Sequence, residues 1–446
     1  MTLQENAIFG PDPWWITLIK VVGVFVLLLT WTIINVWFER RVLGKMQNRK
    51  GPTQNSPGGI LQAAGDGIKL VFKEQFLPKG VDKVIFNLAP ILCGIAAFTS
   101  WSVIPLGGEV SMFGHRTHLQ ITDLPVASLF ILAVASIGIY GIVLAGWSSD
   151  NSYSLLGGLR SSAQMISYEV AMGLSLVAVF MMAGSMSTSQ IVAAQNQPLQ
   201  LFGLNTHLPG WYALLLIPSF VIYVISMLGE SNRTPFDLPE CESELVSGYS
   251  TEYTGFRYGM YYLAEYINMA TLSAVCVTLF LGGYHAPWPI NMIPGLDSGW
   301  WTLLWFLIKT QLVIFFFVWT RAAVPRFRYD TFMDLGWKVL IPVSLVWIIA
   351  VAVLKTGQMR GWFTSWIFWA AMGAVLLALV AALLLTGRAE QDNEPFQGQD
   401  FDAFQGGYPV PPMPGQEVPG RTRLVRADMA QTTAAESTAT MNGADL

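Results

Sequence analysis

An acidic loop between two apolar segments contains the residues most suggestive of chemistry. It runs from Gly229 to Glu244, and its charged members are Glu230, Arg233, Asp237, Glu240, Glu242 and Glu244. Carboxylates beside hydrocarbon are costly and usually functional. The alternative is a solvated loop in which Asp237 caps a helix start, with Pro239 and Glu240 in the first turn.

Other carboxylates also lie within or beside apolar segments. Glu39 ends the first apolar segment, while Glu169 and Glu265 lie inside later ones. A charge at the centre of a membrane helix costs roughly 2.5–3.5 kcal/mol. Glu169, Glu230 and Glu265, on successive segments at similar depth, therefore predict a shared hydrated cavity. Desolvation and proximity adapt carboxylates to proton exchange near neutral pH. The alternative is that each one reaches the interface or pairs with an arginine.

Composition predicts a membrane protein and excludes several classes of function. The chain has 446 residues, of which 53% are hydrophobic and 12% charged, against about 25% charged in soluble domains. Its three Cys are far apart, so no spacing suits zinc or an iron–sulfur cluster. No glycine-rich dinucleotide motif follows a strand pattern, and no basic run suits nucleic acid. We therefore expect no metal, flavin or other electron-transfer cofactor on this chain.

Hydropathy predicts an all-α polytopic fold. A bilayer-spanning helix needs about 20 apolar residues, and nine segments qualify: 14–38, 84–104, 126–147, 163–183, 211–228, 260–281, 301–323, 337–354 and 362–386. Between the first two, residues 60–76 show apolar positions at helical spacing with polar residues opposite. This pattern predicts an amphipathic helix lying in the interface.

The distribution of basic residues predicts the orientation. If the loop after the first span is cytoplasmic, 20 of the 25 Lys and Arg fall on the cytoplasmic side and three on the other. Such a bias places the N-terminal residues 1–13 outside and the C-terminus inside. The tail, residues 388–446, is rich in Gln, Gly, Pro, Ser, Thr and Ala, which predicts disorder.

Several remaining polar features have ordinary explanations. Lys20 and Lys309 lie within spans, and we expect them to extend toward the interface. The four His fall in outer loops, where a surface role is expected. The basic and aromatic loop 321–338 indicates either interface anchoring or docking of a partner protein.

Four blocks of sequence resemble a known family. They are residues 39–52, with Glu-Arg-Arg-Val-Leu-Gly-Lys; 153–169, ending in Ser-Tyr-Glu; 230–257, with Glu-Ser-Asn-Arg-Thr-Pro-Phe-Asp-Leu-Pro-Glu; and 325–338, with Pro-Arg-Phe-Arg-Tyr-Asp. Together they resemble the family of the H membrane subunit of bacterial proton-pumping NADH:quinone oxidoreductase (respiratory complex I), equivalent to mitochondrial NADH dehydrogenase subunit 1. The blocks occur in family order across residues 14–355.

This resemblance implies a fold and a role. It implies eight spans and the amphipathic helix within residues 14–355. The ninth span, within residues 356–387, and the tail are predicted from hydropathy and composition alone, because they lie beyond the usual end of the family. It implies a chamber for ubiquinone or menaquinone, built with the hydrophilic arm and neighbouring membrane subunits in the bacterial inner membrane. The family's acidic proton funnel maps to Glu169, Glu230, Glu240, Glu242, Glu244 and Glu265. The quinone side maps to Glu39, Arg40, Arg41, Arg233, Phe236 and Asp237.

Two other functions stay open from the sequence. One is the related membrane subunit of an energy-converting hydrogenase, which would lack the quinone. The other is a stand-alone secondary cation transporter. That class usually shows internal repeats and broken helices near the bilayer midplane.

Overall fold

A computed structural model describes residues 12–54, 56, 58–201, 204–237, 247–293 and 295–359. This part is almost entirely helical, as predicted. Seven of its helices are long and apolar enough to cross a membrane, and an eighth apolar helix is shorter. The predicted ninth span and the predicted tail lie outside the described residues.

The first helix, α1, is longer than the predicted span and spans Trp14–Met46. At 1.5 Å per residue, its 33 residues reach about 50 Å, beyond the roughly 30 Å of a hydrocarbon core. Its buried positions recur every three or four residues and form one stripe, which includes Lys20, Val24, Leu28, Asn35 and Glu39. Glu39 therefore faces the helix bundle from the extended end of α1.

The predicted amphipathic helix corresponds to α2, Ile60–Phe72. It ends about one turn earlier than predicted because Lys73 is already extended. None of its residues is fully buried, and it lies against α1 and a later helix, α9 (Gly255–Phe280). This is the placement expected of a helix in the interface.

Small residues set the packing of the next three helices. These are α3 (Lys83–Thr99, followed by a 3₁₀ turn at Ser100–Val103), α4 (Ala127–Ser148) and α5 (Ser152–Ala183). A side chain at Gly141 of α4 would meet the Cys93 sulfur of α3, and one at Gly146 would meet the Ser154 carbonyl of α5. Such close backbone approach is typical of membrane helix interfaces.

Two β-hairpins, which the all-helical prediction did not include, connect helices. The first pairs β1 (Gly107–Met112) with β2 (His115–Leu119), and the second pairs β3 (Pro198–Leu201) with β4 (Leu204–Pro209). Both φ angles at the first turn are positive, 49° at Phe113 and 85° at Gly114. That is the geometry of a tight hairpin turn, normally signalled by Asn-Gly or Asp-Gly. Phe-Gly is a weaker sequence signal for such a turn. The strands on either side, of six and five residues, are too short to be recognised in an analysis of hydropathy.

The predicted span at 211–228 is interrupted in the structure. After the short helix α6 (Thr188–Gln195) and the second hairpin, a single turn, α7 (Tyr212–Leu215), is followed by α8 (Ile217–Glu230). Leu216 adopts a non-helical conformation between them. The 14 residues of α8 reach only about 21 Å.

The last described helices complete the bundle. They are α9, α10 (Trp301–Ala323), α11 (Tyr329–Asp334), a π-helical turn (Leu335–Leu340) and α12 (Ile341–Met359). Helix α9 is the most buried of the candidate spans and packs along α3 and α10. Helix α5 packs along α8 and α12. The central position of α9 places its polar residues inside the bundle.

Candidate functional site

A buried ionic network surrounds Glu39 near the end of α1. This residue is 4% exposed, and its carboxylate accepts a 2.6 Å hydrogen bond from the Tyr266 hydroxyl. It forms ion pairs with Arg233, 3.3 Å away, and with Arg321 at the end of α10. Buried charges are tolerated when they are paired and hydrogen-bonded. Glu39 therefore joins three separate parts of the chain: α9, α10 and the loop after α8.

Arg233 extends this network to a second carboxylate. Its Nε lies 2.8 Å from Glu265 Oε1, and its guanidinium stacks 4.3 Å above the Tyr266 ring. Burial lowers the pKa of Arg233, but the carboxylates of Glu265 and Glu39 raise it by more, so the group stays charged. The result is a continuous chain of alternating charges from Arg321 to Glu265.

Gln164 of α5 holds the loop that carries Arg233. Its side-chain nitrogen donates to the carbonyl oxygens of Gly229 at 2.6 Å and Phe236 at 2.8 Å. The loop then needs a left-handed residue, Asn232 with φ of 51°, a conformation that Asn tolerates better than most residues. A polar residue inside an apolar helix thus fixes the path of the loop.

An aromatic cluster closes the other side of the loop. Phe236 packs against Tyr168 and Phe332, with ring centroids 6.1 Å and 4.3 Å away. Tyr168 stacks on Phe332 at 4.2 Å and donates a 2.8 Å hydrogen bond to the Phe332 carbonyl. Phe236, which is expected on the quinone side, is only 5% exposed. Its side chain therefore contributes to the packing of this cluster.

The other residues expected on the quinone side are placed outside this network. Arg40 pairs with Asp66 of α2 at 2.8 Å, and both side chains are nearly half exposed. Arg41 donates to the Gly58 carbonyl at 2.9 Å, and Asp237 lies 3.4 Å from Arg326. Arg40 and Arg41 thus hold α2 and its preceding loop against α1.

A polar cavity connects Glu265 with Glu230. Its volume is about 60 Å³, and its lining includes both carboxylates with Ser231, Asn232 and Asn268. One buried water needs about 10–15 Å³ of such volume, so the cavity has room for several. Glu230 is 2% exposed, and its Oε2 accepts no hydrogen bond from the residues that the structure describes. A polar atom of this kind is a natural partner for cavity water.

Glu230 also borders a second, smaller cavity. Its volume is about 10 Å³, and Asn268 and Thr271 of α9 share its lining, so it suits about one water. Glu169, near the middle of α5, accepts a hydrogen bond from Ser136 and lies within electrostatic reach of Glu230. The structure therefore places Glu230 on a cavity shared with Glu265 and within electrostatic reach of Glu169.

Part of the predicted site lies outside the described residues, and part was missed. Glu240, Glu242 and Glu244 lie outside them. Arg321, Tyr266 and Asn268 were not predicted. The sequence places Arg321 in a basic loop and gives no sign of its pairing with Glu39, because the two residues are far apart in the chain. Asn268, three residues after Glu265 on α9, could have been found from helical spacing.

The two intramembrane lysines are buried and have specific partners. Lys20 is 7% exposed and lies 2.5 Å from Asp12. Lys309 is 6% exposed and donates to the carbonyl oxygens of Leu281 and Gly283 at 2.6 and 3.1 Å. Both ammonium groups are held by specific acceptors.

A metal centre was not expected from the sequence. Among the residues that the structure describes, no group of three or more His, Cys, Asp or Glu side chains could hold a metal ion.

Comparisons with known proteins identify the family. A sequence profile described as NADH dehydrogenase matches residues 19–352. The H subunit of NADH-quinone oxidoreductase from Cutibacterium acnes is 69% identical over 407 residues, covering 91% of this chain and 92% of the relative. The protein of the same name from Streptomyces avermitilis is 49% identical over 427 residues, covering 94% and 91%. Both matches extend beyond residue 355, so these relatives share part of the C-terminal extension. The chain therefore belongs to the H-subunit family of NADH-quinone oxidoreductase, as a multi-pass membrane subunit of that complex.

Proposed function

We propose that this subunit forms the membrane wall of a quinone-binding chamber and couples quinone reduction to proton translocation. The observation that carries the proposal is the buried network from Arg321 through Glu39 and Arg233 to Glu265, which adjoins the polar cavity of Glu230. The names of both relatives include quinone, and the substrate would be ubiquinone or menaquinone. Electrons would arrive from cofactors on the hydrophilic arm.

The network around Glu39 is suited to respond to the charge state of a nearby headgroup. Reduction of a quinone to a quinol consumes two electrons and two protons. Arg233 and Arg321 supply positive charge, and the hydroxyls of Tyr262 and Tyr266, 3.1 Å apart, can relay protons. Loss of a proton from this region would change the strength of the Arg233 pairs with Glu39 and Glu265. The loop after α8, anchored by Arg233, is the element that would transmit the change.

The carboxylates behind the network would carry protons along the membrane. The order Glu265, Glu230, Glu169 follows the cavity shared by the first pair and the electrostatic interaction of the last pair. Cavity water and the Asn268 amide would bridge Glu265 and Glu230 in this scheme. Glu240, Glu242 and Glu244 complete the proposed path on the basis of sequence. We place the Glu39 end of the bundle in the cytoplasmic half because the basic loops lie there.

The test compares Glu39→Gln with a surface control in membranes. Glu39→Gln keeps the shape of the side chain but removes the charge shared by Arg233 and Arg321. Asp334→Asn is the control, because Asp334 is exposed and pairs with Lys338 one turn away. We expect NADH:quinone reductase activity to fall at least tenfold in Glu39→Gln, while electron transfer to an artificial acceptor on the arm is unchanged. Equal quinone activity in Glu39→Gln and Asp334→Asn would refute the proposal.

A further inference from the structure

The smaller cavity beside Glu230 is elongated along two of the helices that line it. One face of α4 and one face of α9 contribute four residues each: Ser128, Ile131, Leu132 and Ala135, and Asn268, Thr271, Leu272 and Val275. Both sets have the i, i+3, i+4, i+7 spacing of a single helix face, and each extends over about 10 Å at 1.5 Å per residue. The cavity is therefore a narrow crevice with two ends, and we call it the Glu230 crevice.

The near end of the Glu230 crevice adjoins the polar cavity that Glu230 shares with Glu265. Glu230, Ala135 and Asn268 line both cavities. Ala135 is the last residue of the α4 face, and Asn268 is the first residue of the α9 face. The far end of the crevice therefore lies at Ser128 and Val275. Val275 follows Glu265 by about 15 Å along α9, in the direction away from the Glu39 network.

The connection between α5 and α6 covers the far end of the Glu230 crevice. The backbone N–H and the hydroxyl of Ser128 both donate to the carbonyl oxygen of Met186, at 3.2 and 3.0 Å. The Met186 side chain is 38% exposed, and the hydroxyl of the next residue, Ser187, donates to the Asp123 carboxylate at 2.9 Å. A single segment with an exposed residue and polar partners thus separates the far end from the surface of the bundle.

Polar and apolar side chains both line the Glu230 crevice. Hydroxyl and amide groups of Ser100, Ser128, Asn268 and Thr271 can hydrogen-bond to water, whereas much of the remaining lining is aliphatic. The volume of about 10 Å³ admits about one water, so larger solutes are excluded. Apolar constrictions in channels open and close by wetting and dewetting. This lining therefore suits a path for protons that is closed in the present structure.

We propose that the Glu230 crevice is a gated outlet for protons, leading from Glu230 to the side of the membrane opposite the Glu39 network. The inference rests on the proposed function, in which Glu230 receives a proton from the Glu265 side. When the crevice opens, the Glu230 carboxyl group releases this proton to crevice water, which passes a proton on toward Ser128. The carboxylate left behind is protonated again through the polar cavity. Glu230 then has an outlet within this subunit in addition to the route toward Glu169.

The test is cysteine labelling of the whole complex in respiring cells. The far end faces the outside in the orientation that the basic loops predict. Cells are treated with the membrane-impermeant reagent methanethiosulfonate ethylsulfonate, and the labelled peptides of this subunit are mapped. Thr271→Cys places a thiol in the crevice. Ser273→Cys is the matched control, because Ser273 is buried on the same helix, nearer the far end, but is not part of the crevice lining.

Access through the crevice and mere depth in the membrane predict opposite results. If only depth mattered, Ser273→Cys would react faster than Thr271→Cys. We expect Thr271→Cys to react at least about tenfold faster, since buried thiols without access are inert. Ser128→Cys is a second variant in case Thr271→Cys fails to assemble. It changes one atom at the far end of the crevice, and its labelling should also exceed that of Ser273→Cys.

Labelling should also impair coupling. Inverted membrane vesicles from the labelled cells are supplied with NADH, and the ratio of protons translocated to electrons transferred is measured. We expect a lower ratio after labelling of Thr271→Cys or Ser128→Cys, and an unchanged ratio in Ser273→Cys.

Two results would overturn the outlet. One is that neither crevice variant reacts faster than Ser273→Cys, and the other is that the ratio stays unchanged after a crevice variant is labelled. The proposed function would stand in either case if Glu39→Gln still lowers quinone reductase activity. Unchanged quinone activity in Glu39→Gln would instead refute the proposed function itself.

Discussion

Replacing Arg233 should be far more damaging than replacing Arg321, although both contact Glu39. The Arg233 side chain is 10% exposed and lies between two carboxylates, whereas that of Arg321 is 40% exposed and forms its ion pair with Glu39. Removing one partner from a buried ionic network costs about 3–5 kcal/mol. At the more exposed position, water can replace the guanidinium, so Arg321→Met should cost only about 1 kcal/mol.

The difference can be measured as heat inactivation of the purified complex. Each kcal/mol lowers a midpoint by roughly 2–4 °C for chains of a few hundred residues. We therefore expect the midpoint of heat inactivation to fall by at least about 6 °C for Arg233→Met and by about 2–4 °C for Arg321→Met. The midpoint is measured from the NADH:quinone reductase activity that remains after heating. Arg328→Met is the control, because Arg328 is 81% exposed, and it should leave the midpoint unchanged.

Double substitution separates the ionic network from simple packing. Adding Glu39→Gln to Arg233→Met should cost less than the sum of the two single changes, since residues in one network are coupled by about 0.5–3 kcal/mol. Equal midpoints for Arg233→Met and Arg321→Met, or strict additivity in the double variant, would refute the claim that Arg233 is the buried centre of the network.

Three further predictions concern the scaffold. Burial raises the pKa of Asp12, but hydrogen bonds from Lys20 and Thr117 and the Lys20 charge lower it by more. The stability that results is present above about pH 4 and is lost as the pH falls through the lowered pKa. Asp12→Asn should therefore make heat inactivation less dependent on pH below about pH 4. Gly157→Ala should reduce assembled complex in membranes, because its Cβ would lie 2.6 Å from the Gly248 backbone, whereas Gly173→Ala on the same helix meets nothing closer than 3.9 Å and should be neutral. Phe332→Ala should cost about 3–5 kcal/mol, seen as a lower inactivation midpoint, and a cost below about 1 kcal/mol would contradict the packing described.

Local sequence patterns predicted most of the helices but not their full extents. Hydropathy identified α10 at 301–323 and the amphipathic α2, because both depend on residues close in sequence. It shortened α5, which begins at Ser152, since the first turns of this helix contain polar residues, of which Ser154 and Ser161 are buried in the bundle. It also missed the interruption at Leu216, although Pro218 in the first turn of α8 is a local signal for a helix start.

The candidate site shows the same division between local and long-range information. The sequence indicated Glu39, Glu169, Glu230 and Glu265 because a carboxylate beside hydrocarbon is conspicuous at any position. It could not pair Glu39 with Arg321, 282 residues away, nor show that Arg40 faces α2. Those contacts depend on how the helices pack, and a single sequence contains no direct record of that packing.

The central claim is that Glu230 lies on the path coupling quinone reduction to proton translocation. The most direct measurement is the ratio of protons translocated to electrons transferred, in vesicles containing the complex with Glu230→Gln. Glu252→Gln is the matched control, because Glu252 accepts a hydrogen bond from Asn151 in a loop and lies outside the cavity lining. We expect a lower ratio, or loss of both activities together, in Glu230→Gln and no change in the control. An unchanged ratio and rate in Glu230→Gln would contradict the proposed path.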